Sequence, residues 1–166
     1  MMHKLDAPMD QSESTEAVRE SPSLKYATGG TPGGKDGGNE FEIFVIFTDT
    51  PGTLAALRMA GELAGRLDAH LRLLIPYEVP FALPLMMPPV SIALIEERAR
   101  ALVSEIPVDV SAHIYLCRDK YQAARLILKP NSIVLLGGRK RWWGYANRKM
   151  AITLKKYGHH VILANK

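Results

Sequence analysis

The chain has 166 residues, 47 % of them hydrophobic, with a mean hydropathy of −0.04 and a formal net charge of +4. That length suits one domain and a tail rather than several domains. The longest uncharged run, Val79 to Ile95, is broken by Pro80, Pro84, Pro88 and Pro89, which excludes a membrane-spanning helix there. The charge is unevenly distributed. Residues 1–39 sum to −2 and residues 40–119 to −5, while residues 120–166 carry eleven bases and no acid. A carboxylate-free C-terminal third carries a positive field to which phosphate-bearing ligands are the natural complement. Read blandly, the same run is a solvated basic face. Cys117 is the only cysteine, so no internal disulfide can form. With no apolar leader at the N-terminus, the expectation is a cytoplasmic protein.

Residues 1–39 are rich in Ser, Glu, Pro and Gly, and the pairs Gly29-Gly30, Gly33-Gly34 and Gly37-Gly38 make their end a linker. They are expected to form a disordered tail that contributes nothing to the core. The folded domain is expected over 40–166. Phe41 to Asp49 is nearly all β-branched and aromatic, which predicts a strand. It ends in the capping cluster Thr48-Asp-Thr-Pro-Gly-Thr53. A helix over 53–67 follows, with Leu54, Leu57, Ala60, Gly61, Ala64 and Leu67 on one face. Residues 69–75 predict a second strand. The segment 76–90 carries prolines at 76, 80, 84 and 88 yet exposes Phe81, Leu83, Leu85, Met86 and Met87 if it is a simple loop. It covers the core edge, a ligand or a partner.

A helix is predicted over 91–106, with Ile92, Ile95, Ala99, Leu102 and Ile106 facing inward. A strand follows over 108–116, then a short helix over 121–128 that Pro130 ends. Ser132 to Leu136 reads as a buried strand, and Gly137-Gly138 as the start of a loop with room for a ligand. A helix over about 146–157, stopped by Gly158, leads to a last strand at 160–163. Strict β-α alternation predicts an α/β three-layer sandwich: a five-stranded parallel sheet with helices on both faces, Rossmann-like. In such sheets ligands sit beyond the carboxyl ends of the strands, where 137–149 would lie.

The acidic turn Thr48-Asp49 before the Leu-Ala-Ala-Leu helix at 54–57 and the elongated loop after the second strand fit one known plan. So does the closing block, from Asn131-Ser-Ile-Val-Leu-Leu-Gly-Gly-Arg to Gly-His-His-Val-Ile-Leu. Together these resemble the universal stress protein family across residues 41–164. The resemblance implies a five-stranded α/β fold, a homodimer paired through the last strand (Val161, Ile162, Leu163), and stress-related or regulatory work without catalysis. Members that bind ATP carry Gly-x-x-Gly, nine residues, then Gly-Ser or Gly-Thr. Here Gly137 matches the first glycine, Lys140 replaces the second, and Met150-Ala151 stand at the last pair. The resemblance therefore implies that this chain is not a standard ATP binder.

Two other ligand readings stand beside it. ATP, another nucleotide or a small phosphate ligand could be held at Thr48, Asp49, Gly137, Gly138, Arg139, Lys140 and Arg148, by side chains instead of a glycine loop. Nucleic acid could bind the basic, aromatic patch 139–156, which carries Trp142, Trp143 and Tyr145; this is the weaker reading, because the patch is short and matches no known module. A protein partner is the remaining class. No catalytic constellation and no metal spacing stand out: Asp49 has no second carboxylate, and His159 and His160 point to opposite faces of a strand.

Overall fold

The computed structural model describes residues 41–138 and 145–165, together with the backbone of 24–28. The strands are β1 (Leu24–Thr28), β2 (Glu42–Ile46), β3 (His70–Glu78), β4 (Val110–Cys117), β5 (Ile133–Gly138) and β6 (His160–Asn165). The helices are α1 (Thr50–Leu67), α2 (Ile92–Ser104), α3 (Lys120–Ile127) and α4 (Tyr145–Lys156). All pairings are parallel, in the order β1-β4-β3-β2-β5-β6. The five predicted strands are therefore present, and the class is an α/β parallel sheet with helices on both faces.

Each face has its own core, because successive strand side chains point to opposite sides. On one, Ile43, Val45, Leu71, Leu73, Val110, Ala112, Ile114 and Leu135 meet Ala56, Leu57 and Ala60 of α1 and Ile95, Ala99 and Val103 of α2. On the other, Phe44, Ile46, Leu74, Val134 and Leu136 meet Ala124 of α3 and Met150, Ala151 and Leu154 of α4. The helices start where their capping residues stand: Asp49 for α1, Ser91 for α2 and Asp119 for α3, each accepting a bond from a first-turn amide. Gly158, at φ +84°, turns the chain out of α4.

Three differences from the sequence reading have physical causes. The expected tail is not wholly outside the fold, since Leu24–Thr28 form β1 and pair with Ala112 to Leu116 of β4. That edge of β4 would otherwise present a row of unpaired backbone groups. The rest of the tail lies outside the described residues. Second, β3 runs through Pro76 to Glu78, past the expected end. Its register with β2 stops at Leu74, so Pro76 lies where β3 has only β4 beside it and the missing N–H is tolerated. Third, Gly137 and Gly138 belong to β5, paired with Ala164 and Asn165, and do not open a loop.

Candidate functional site

After β1 at one edge, the chain passes to β2 in the middle, adds β3 and β4 on the side of β1, then crosses to β5 and β6 on the other. The strand order reverses between β2 and β5, the position at which open parallel sheets form a crevice at their carboxyl ends. Thr48, Asp49, Gly137 and Gly138 meet there.

The β2–α1 turn is tightly bonded within itself. The Asp49 carboxylate accepts the Gly52 N–H at 2.6 Å, and the Asp49 carbonyl accepts the Thr53 N–H at 2.8 Å. The Thr48 N–H donates to the buried Thr53 Oγ1 at 3.1 Å. Free first-turn amides would make this helix start an anion seat. A carboxylate from the chain already occupies that seat.

The turn is also joined to β5. The Thr48 hydroxyl donates to the Gly137 carbonyl at 2.8 Å. A Cβ added at Gly137 would overlap the carbonyl of Gly52, and one added at Gly52 would stand 2.8 Å from the Gly137 oxygen. The missing side chain of Gly137 thus makes room for the backbone of α1. The space expected beside the paired glycines is thus, on the Cβ side of Gly137, taken by backbone. At this point the two backbones are in contact.

Arg148 is exposed on α4, and Arg139 and Lys140, with Trp142 and Trp143, lie outside the described residues. Met150 and Ala151, at the positions of the family's Gly-Ser, are buried in the core beneath α4 and cannot reach a ligand.

The proline-rich segment is ordered by a residue that the sequence does not single out. Arg118, just past β4, donates to the carbonyls of Val79 at 3.0 Å and Leu83 at 2.8 Å, and to that of Pro80. Its guanidinium lies 5.2 Å from the centre of the Phe81 ring. Val79 is buried beneath the segment, while Phe81, Met86 and Met87 face solvent. The segment therefore covers little of the core. Nothing in the local sequence marks Arg118, because its partners lie in a loop more than thirty residues away.

Among the described residues no three His, Cys, Asp or Glu side chains stand together in a way that would hold a metal ion. The Cys117 thiol donates to the Tyr77 carbonyl at 3.5 Å. Burial, reinforced by Glu78 and Asp119, pushes it up to about 11, so it is a poor nucleophile near neutrality.

Strand order, crossovers and the place of the crevice define an open, all-parallel α/β domain of Rossmann-like class. No family model and no curated protein sequence matches the chain. Among solved structures it aligns with a crystal structure of a universal stress protein in complex with cAMP, at 14 % identity and a TM-score of 0.43, over 76 % of this chain and 98 % of that one. A likeness of that strength carries no argument by itself, and the class rests on the strand order and register.

Proposed function

We propose that the chain is a non-catalytic, stress-related regulatory domain on the universal stress protein plan, cytoplasmic, paired as a homodimer through β6, and not an ATP binder of the glycine-loop kind. The observation that carries this reading is the contact of Gly52 with Gly137 at the strand-order reversal, which leaves no room there for a glycine loop of the ATP-binding kind. The capping of α1 by Asp49 and the burial of Met150 and Ala151 support it. The position of β6 at the end of the sheet, with Leu163 exposed on it, supports the dimer. A parallel edge strand bearing Val161, Ile162 and Leu163 is an aggregation hazard until another copy covers it. Sedimentation velocity of the full chain at micromolar concentration is expected to give a dimer that Leu163→Lys dissociates. A wild-type monomer would refute the pairing. Mass spectrometry of the purified protein is expected to find no stoichiometric nucleotide; ATP or cAMP carried through purification would refute the ligand reading.

A further inference from the structure

The α3–α4 face is not used by the reading above. The two helices lie side by side and are tied at both ends. Near their starts the Tyr121 hydroxyl donates to the Ala146 carbonyl at 3.4 Å, and the Lys149 ammonium lies 4.4 Å from the Tyr121 ring centre. Near their ends Arg125 donates to the Tyr157 hydroxyl at 3.3 Å and lies 4.9 Å from the centre of that ring. The pair forms one surface.

That surface is strongly and unevenly charged. Lys120 is 3.7 Å from Glu78, and Lys129 is 2.7 Å from Glu42. Arg125, Arg148, Lys149, Lys155 and Lys156 meet no carboxylate among the described residues. None is available nearby in sequence, since residues 120–166 contain no acid. Between these cations stand two exposed aliphatic side chains, Leu126 at 67 % and Ile152 at 58 % exposure.

We infer that the outer face of α3 and α4 docks on an anionic bilayer surface, its five cations that meet no carboxylate among the described residues reaching lipid phosphates while Leu126 and Ile152 enter the headgroup–acyl boundary. Cations near an anionic leaflet are attracted additively, and their long stems allow the heads to stay at the phosphates. Aliphatic side chains contribute only if the surface has an apolar interior to offer. A single-stranded nucleic acid fits less well. It needs several free aromatic faces for stacking, whereas the Tyr121 and Tyr157 rings already carry Lys149 and Arg125, and among the described residues of this face Tyr145 alone is left open. The contact needs no spanning segment, and no described helix is long and apolar enough to cross a membrane.

The test is flotation of the full chain with vesicles of phosphatidylcholine, alone or mixed with phosphatidylglycerol. The protein is expected to float with the mixed vesicles only and to be released at high salt. The double variant Arg148→Gln, Lys156→Gln is expected to bind about 30-fold more weakly, with an unchanged thermal melt. Ile152→Ser is expected to weaken binding while leaving its salt dependence unaltered. Equal recovery with both vesicle types, recovery with neither, or a double variant that binds like the wild type would overturn the inference. So would retention of a single-stranded oligonucleotide by a protein that ignores the vesicles. None of these outcomes bears on whether the β2–β5 crevice takes a nucleotide.

Discussion

At Gly137 a single added carbon decides whether α1 can lie against β5. The carbonyl of Gly52 occupies the space, and it belongs to a helix start fixed by Asp49 and Thr53, so it cannot move aside cheaply. Gly137→Ala is expected to lower stability by about 3 kcal/mol or more, at the upper end of overpacking costs. Gly65, also in α1, has nothing within 4 Å of the position its Cβ would take. There the same substitution is expected to stabilise by about 0.5–1 kcal/mol, through the helix preference alone. Urea unfolding of both variants checks the opposite signs. His159 gives a second prediction at this scale. Its ring is buried, and burial, together with His160, holds it below its ordinary 6.5. The unfolded chain then takes up the proton first. The His159 contribution is constant above the unfolded pKa, and stability falls as pH drops below it toward the folded value. The urea midpoint is expected to be lower at about pH 5.5 than at about pH 7.5, and His159→Asn is expected to narrow that difference.

Among the elements, those with a dense local signal were readable from the sequence alone. Ile43 to Ile46 and Ile133 to Leu136 are apolar on both faces because both faces are covered, and Asp49, within the expected capping cluster, caps α1. β1 was not readable. It is five residues long within a polar, glycine-rich stretch, and its order comes from the open edge of β4, which no local pattern reveals. The contact of Gly52 with Gly137 was hidden for a similar reason: a glycine pair in sequence looks the same whether a ligand or another backbone fills the space beside it. Thr48, Asp49 and Gly137, expected at one site, do lie together at the β2–β5 junction. The 79–87 loop depends on Arg118, whose guanidinium satisfies three loop carbonyls. Arg118→Ala is expected to leave the sheet intact and to raise proteolytic cleavage within 80–87 by about an order of magnitude or more. Cleavage unchanged from the wild type would mean that the prolines alone hold the loop.

For the whole molecule, the same parallel sheet supports two ends of different character. The carboxyl end between β2 and β5 is a place where α/β domains commonly receive ligands, and here the backbones of Gly52 and Gly137 meet in it. The outer helices α3 and α4 instead hold a concentration of positive charge that the sheet does not neutralise. On the reading proposed above, this domain binds through its outer surfaces and its β6 edge and not through the crevice. The most direct test of that account is a calorimetric titration of the full chain with ATP, repeated while the amide signals of Thr48, Gly52 and Gly137 are followed by NMR. The account predicts no saturable heat up to about millimolar ATP, a limit that corresponds to about −4 kcal/mol, and no movement of those three signals. Saturable binding at micromolar ATP, with the Gly52 and Gly137 amides shifting together, would contradict it.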